Sequence, residues 1–500
     1  MFPLSQTTCQ QQEHLSKSRP RLILHLRARS FDRNNVLILE SILYFCKKAI
    51  AVNELTVSKV EVADSRLTVS FDCKGRIKKF FYDNKFIAEY DTSVEEIPEA
   101  TLVIPFLATI APIAWVNQAE VFVETVDETF LSSLDHIRET LQKFYPQLKF
   151  GGKIQAEKIV SPHVNTRTRR MALFSGGVDS WATFIRHQDE NPILVSVQDV
   201  RFTAPNRPSR YHDLMNVSSD YLKRAFGSVK PENRIIRSNL EYVPRLFMLD
   251  MLLISAKEIS GNWYQGVMHG LALTGLCAPL TYLEKVDKLY IASSFTADAQ
   301  LPWGSHPEID NKIEWTGTRV EHDGYELSRQ DKLFLIADYI MRKDSKLQIC
   351  TCIDNLARKR FNIGVGKNCN QCEKCSRTIL GLEIAGIDPN EHGFSTDAQT
   401  FSRMRKNIED GTWRFGDDER YMWIDLQKHA SNAREIPHYE ARILIEWLRK
   451  IDVKSLKSSA YRNKSLRYRF IRKTRLFPLL MALPYPILQL MRKFFGAVFG

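Results

Sequence analysis

From Leu55 to Phe71, apolar residues alternate with polar ones. Leu55, Val57, Val60 and Val62, then Leu67, Val69 and Phe71, predict two half-buried antiparallel strands. The stretches 22–26 (LILHL) and 119–125 (AEVFVET) predict two more. Apolar residues at Leu131, Leu134, Ile137, Leu141 and Phe144 recur at helical spacing. Residues 1–20 are polar and loose, 21–153 form a small α+β accessory domain, and polar residues 154–170 read as a linker. The texture then changes. Met171–Phe174, Ile193–Val197, Ile235-Ile236 and Lys288–Ala292 are short runs of buried-strand type, separated by helix-length segments such as Leu246–Ile259. That alternation predicts a parallel α/β sheet over 166–400. A helical extension over 401–450 and a tail over 451–500 complete the chain. The expected fold class is α/β: a parallel-sheet domain preceded by the smaller α+β domain.

Composition changes this picture only at one end. The 500 residues are 44% hydrophobic and 26% charged, which excludes collagen-like, disordered and small disulfide-scaffold classes. The net charge of +12 is concentrated in 451–500, where Asp452 is the only acid, so the body is nearly neutral. A general nucleic-acid-coating role loses its support. The tail joins a polybasic stretch to the proline-broken apolar run 476–491 (LFPLLMALPYPILQLM). That pattern suits an anchor to an anionic membrane surface; an arm on RNA phosphate or a contact with a partner subunit are the alternatives. The N-terminus lacks an apolar core of signal type, and no apolar run in the first 450 residues reads as a bilayer span. The expected location is cytoplasmic, with peripheral membrane contact through the tail.

The sharpest motif is Ser175-Gly176-Gly177-Val178-Asp179-Ser180, between a buried strand and a helix opening near Trp181. Two glycines let backbone approach a ligand, and the helix offers unpaired N–H groups and the positive end of its dipole. Ser175 and Ser180 add hydroxyls, and Asp179 suits Mg²⁺. This is an anion cradle sized for pyrophosphate; it has neither Walker A nor dinucleotide-fingerprint spacing. The competing reading is a ligand-free turn in which Asp179 and Ser180 merely cap the helix. The sequence places Asp179 in an exposed turn, where its loss would spare folding. Downstream, Ser328 is a good N-cap, and Arg329 and Lys332 fall in the first turn of its helix. Cations there oppose the dipole, which is explained if they face phosphate; a solvated face is the bland alternative. In Pro302–Pro307, Trp303 suits stacking on a purine and His306 suits phosphate, against a purely structural turn. His269 reads as a core histidine.

Five of the nine cysteines fall between Cys350 and Cys375. Cys369, Cys372 and Cys375 at two-residue spacing can share one ion, and a fourth thiolate closes a tetrahedral zinc site. If 347–352 is extended, Cys350 and Cys352 share a face. Cys350 is favoured because it closes the apolar run Leu347-Gln348-Ile349. A [4Fe–4S] cluster is the rival to Zn²⁺. Lys367, Lys374 and Arg377 would offset the thiolate charge. Cys9, Cys46, Cys73 and Cys277 are isolated.

The SGGVDS turn resembles the signature of the PP-loop ATP pyrophosphatases, adenine nucleotide alpha-hydrolase-like proteins. Together with the C…C-x-x-C-x-x-C cluster it is similar to 7-cyano-7-deazaguanine synthase-like members of that superfamily. The shared stretch runs from about Met171 to Ile387; the N-terminal domain and the basic tail have no counterpart in the compact synthases. The resemblance implies ATP cleaved between its α- and β-phosphates. A small substrate carboxylate is adenylated, and ammonia or an amine then attacks. It implies ATP, Mg²⁺ and Zn²⁺ as cofactors and a helix start like that of Arg329 and Lys332 in the site. The alternatives are a PP-loop tRNA-modifying enzyme using the tail as an RNA arm, and a nucleotide-binding regulator that has lost catalysis.

Overall fold

In a computed structural model the described residues are 53–163, 168–199, 226, 231–255, 262–299, 301–352 and 367–456. The expected strand at 22–26, Cys9, Cys46 and the tail from 457 onward lie outside them. The first alternating positions become β1 (Glu54–Ala63) and β2 (Arg66–Lys74), an antiparallel pair that continues into β3 (Lys85–Tyr90). Leu55, Leu67, Val69 and Phe71 are buried. The next helix, α1 (Ile104–Val116), has no polar face to give a period, and every residue in it is buried. Sequence periodicity does not detect such a helix. β4 (Glu120–Asp127) leads into α2 (Glu128–Phe144), whose first turn is capped by Asp127 accepting from the Phe130 N–H at 2.9 Å.

The first part of the polar stretch expected to be a linker, residues 154–160, belongs to β5 (Lys153–Val160), paired parallel to β4 at the sheet edge. Its side chains are exposed or half-buried on both faces, so backbone pairing rather than apolar patterning holds it. β4 itself runs parallel to β1, not antiparallel.

β6 (Arg169–Leu173) is followed by α3 (Val178–His187), β7 (Ile193–Asp199), β8 (Asn233–Ser238) and α4 (Leu246–Ser255). Then come α5 (His269–Gly275), α6 (Ala278–Leu283), β9 (Val286–Ala292), β10 (Glu314–Trp315) and β11 (Thr318–Asp323). The helices α7 (Arg329–Lys343), α8 (Glu373–Ile384), α9 (Ala398–Glu409), α10 (Asp417–His429) and α11 (Tyr439–Leu448) close the described chain.

The result is an α/β fold on one eleven-stranded sheet ordered β10-β11-β9-β6-β7-β8-β3-β2-β1-β4-β5. Strands β11, β9, β6, β7 and β8 are parallel. The chain leaves β6 toward β7 and β8, then crosses back to β9 and β11, so the order reverses between β6 and β9. Crevices that bind ligands open at such a reversal, outside the carboxyl ends of the strands. The accessory region is not set apart: β3 pairs antiparallel with β8 through Ala88, Glu89 and Tyr90. Ser238 and Asn239 seal that seam. The Ser238 hydroxyl donates to the Ile87 carbonyl at 2.9 Å, and the Asn239 amide accepts from the Ile87 N–H at 2.8 Å. One apolar core accordingly runs from Leu55 to Val320 across the expected boundary.

The 20-residue helical stretch Tyr264–Leu283 is long and apolar enough to cross a bilayer, contrary to the sequence expectation, and it is mostly buried in the protein. It packs on α1 so closely that a Cβ on Gly275 would lie 2.3 Å from the Ala108 Cβ. Gly275→Ala should therefore cost about 1–3 kcal/mol. Urea midpoints would show it, and adding Ala108→Gly should recover part of the loss; full stability of the single variant would deny the close approach.

Candidate nucleotide site and cysteine centre

The Ser175–Ser180 turn leaves the carboxyl end of β6, at the point where strand order reverses. Gly176 has φ +74°, a left-handed conformation that suits glycine. Gly177 is the N-cap of α3 without a side-chain cap bond. The Ser180 hydroxyl donates to the Gly177 carbonyl at 3.0 Å and lies 3.3 Å from the Ser175 hydroxyl. Among the described residues, the N–H groups of Val178, Asp179 and Ser180 have no hydrogen-bond partner. They open toward a cavity of about 580 Å³. The far end of α3 is fastened to β11, where Asp323 accepts from Thr183 at 2.7 Å and from Arg186 at 3.1 Å.

Ser328 caps α7 as the sequence predicts, in a reciprocal box with Asp331. That places Arg329 and Lys332 against the turn. Arg329 donates to Asp179 Oδ2 at 2.5 Å, and the Lys332 ammonium stands 3.4 Å from Asp179 Oδ1 while also donating to the Ser293 carbonyl. Arg329 lines the cavity; Lys332, 2% exposed, lies beneath it and positions Asp179. Burial pushes the Asp179 carboxyl up, but Arg329, Lys332 and Lys374 outweigh it and hold it below the ordinary value. Burial pulls Arg329 and Lys332 down from theirs. Both Asp179 oxygens thus face cations, an arrangement that disfavours a divalent ion there. The Mg²⁺ expectation at Asp179 does not fit; the residue anchors two cations instead.

The fourth thiol of the cysteine group is Cys352, not Cys350. The sulfurs of Cys352, Cys369, Cys372 and Cys375 all lie within 4.8 Å of one another. Asn368 decides this: its Oδ1 accepts from the Thr351 and Cys352 N–H groups at 2.9 and 3.2 Å, drawing Cys352 toward Cys369. Cys350 lines the larger cavity instead, and its N–H donates to the Gly176 carbonyl at 2.8 Å. The donor set fits a single metal ion such as zinc. Cys369 and Cys375 sulfurs are 3.8 Å apart, and a tetrahedron of 2.3 Å Zn–S bonds has edges of about 3.8 Å. A four-iron cluster holds each thiolate on a different iron and spreads the sulfurs wider. The Cys372 N–H donates to the Cys369 sulfur and the Cys375 N–H to that of Cys372, at 3.2 and 3.4 Å.

Other candidates divide. Trp303 lines a neighbouring cavity of about 300 Å³, edge-on to Phe295 at 5.0 Å, with its indole N–H unpartnered among the described residues. His306 does not reach the turn; it contacts the Tyr325 hydroxyl at 3.1 Å and caps a short helix at Pro307. His269, read as a core residue, lines the larger cavity, and its buried Nδ1 has no partner among the described residues. Sequence reading also missed Ser196 and Gln198, which line that cavity from the carboxyl end of β7. Polar residues closing the run ILVSVQD were the available signal. It cast Lys374 as a counter-charge to thiolates, whereas this side chain lines both cavities. Burial, then Arg329 and Arg377, push its ammonium down to about 8. No family model matches the chain. No curated protein and no solved structure matches it either.

Proposed function

We propose that the chain is an ATP-dependent ligase that adenylates a small carboxylate, releases pyrophosphate and passes the acyl group to ammonia or an amine. One observation carries this reading. The Ser175–Ser180 turn aims unpartnered N–H groups into a cavity of about 580 Å³ that Arg329 and Lys374 also line. A cavity of this size suits a nucleotide. Leu173, Val195, Val197 and Ile291 give it an apolar wall for a base. The helix N-terminus and Arg329 receive the charge that grows on pyrophosphate as the α–β bond breaks. ATP brings Mg²⁺ on its own phosphate oxygens, and the cysteine group holds a structural zinc. The strand order and the PP-loop-like turn agree with an adenine nucleotide alpha-hydrolase-like fold.

A nucleotide-binding regulator would need only the first cavity. The second one, sharing Asp179, Ser294, Arg329 and Lys374 with it, favours a reaction between two substrates. The test is product analysis with MgATP and a panel of small carboxylic acids plus ammonia. AMP and pyrophosphate are expected with one of them; ADP and phosphate would overturn the mechanism.

A further inference from the structure

The two cavities meet at a common wall made by Asp179, Ser294, Arg329 and Lys374. Elsewhere their linings differ. The larger has the SGG turn and apolar strand ends; the smaller has Phe295, Trp303, Met422, the acids Asp418 and Glu419, and the Glu373–Arg377 ion pair. An attack on a bound nucleotide needs a reacting atom accessible from both sides. With the nucleotide in the larger cavity and its attacker in the smaller, that atom lies at the common wall.

Most cations around this wall are already engaged. Arg329 binds Asp179 at 2.5 Å, Lys332 binds Asp179 and the Ser293 carbonyl, and Arg377 binds Glu373 at 2.9 Å. The Lys374 carbonyl accepts from the Thr378 hydroxyl, but its ammonium has no hydrogen bond or ion pair among the described residues. A half-buried ammonium without a partner is costly unless a ligand supplies the anion. Its backbone is fixed as well, because it sits between Cys372 and Cys375 of the cysteine group.

We propose that Lys374 binds the α-phosphoryl oxygens of ATP at the junction of the two cavities, with the attacking carboxylate standing in the smaller one. This rests on the ligase reading above. A carboxylate oxygen forms a bond to the α-phosphorus as the bond from that phosphorus to the bridging oxygen breaks. The electron pair departs with pyrophosphate into the turn, and no proton moves. Lys374 stays charged and stabilises the α-phosphoryl oxygens through the step. The cysteine group, besides holding the fold, aims this cation.

AMP carries only the α-phosphate, and inorganic pyrophosphate occupies only the turn, so the two probes separate the subsites. Calorimetric titration of the full chain with each should show Lys374→Met weakening AMP by about tenfold or more. Pyrophosphate affinity should stay within about threefold. Lys374→Arg should recover most of the AMP affinity, with metal content and melting temperature unchanged in both variants. If Lys374→Met sheds its metal, Lys374→Gln carries the same comparison. Unchanged AMP binding, or equal loss of both probes with metal retained, overturns the role of Lys374 alone. Failure of the unmutated protein to bind either probe overturns the ligase reading with it.

Discussion

Asp179→Ala should lower AMP-forming turnover by about 10²–10³-fold, and it should also cost about 3–5 kcal/mol of folding stability. The second effect is the one the sequence does not announce. An exposed acid in a loop would be lost without penalty, yet among the described residues Asp179 alone places a carboxylate within ion-pair distance of Arg329 and Lys332, which are 8% and 2% exposed. Removing it leaves two buried positive charges facing each other. Asp179→Asn keeps the shape and removes the charge. Because the carboxyl is held below its ordinary 3.8, its stabilising contribution is present above about pH 4 and is lost as pH falls through the native value. Urea unfolding across pH should therefore show a flatter acid limb for Asp179→Asn. A variant that unfolds like the unmutated chain would deny the ion-pair triangle. A turnover loss no larger than the loss of folded protein would remove Asp179 from the chemistry.

Cys372→Ser and Cys352→Ser should each release the metal and yield insoluble protein, whereas Cys350→Ser should keep it. Binding to a structural tetrathiolate contributes about 10 kcal/mol or more, comparable to the whole stability of a domain. The cysteine group also sits within the second apolar core, with Cys369 and Cys375 buried among Ile379, Leu380 and Phe394. Elemental analysis should find about one zinc per chain. Metal retained in Cys352→Ser and lost in Cys350→Ser would reverse the assignment. A brown, iron-containing protein purified without oxygen would replace zinc altogether.

What the sequence could and could not convey follows from how each element is buried. β1, β2 and α2 present one wet and one dry face, and their period was readable. α1 is dry all round and β5 is half-wet on both faces, so neither has a period. The seam between β3 and β8 joins segments far apart in the chain through backbone bonds, which leave no residue pattern. In the site, the SGGVDS turn and the three regularly spaced cysteines were legible because their chemistry is local. The choice of Cys352 was not, since Asn368, a residue with no ligand role, makes it. Nor was the second use of Lys374, since its sequence neighbours suggested a different reason for its charge. The pairing of Arg329 and Lys332 with Asp179 was expected only as a shared outlook on phosphate; the direct contact emerges from packing.

The bond from the Cys350 N–H to the Gly176 carbonyl sets an order on biosynthesis. A nascent chain can complete β6, the turn and α3 while the segment that braces the turn is still inside the ribosome. Until Cys350 has emerged, and Cys352 has been drawn into place beside Asn368, the cradle lacks one wall. Completion of this cavity thus belongs to a late stage of synthesis, after the four cysteines have been translated, and fragments ending at β11 carry the Ser175–Ser180 turn without its finished wall.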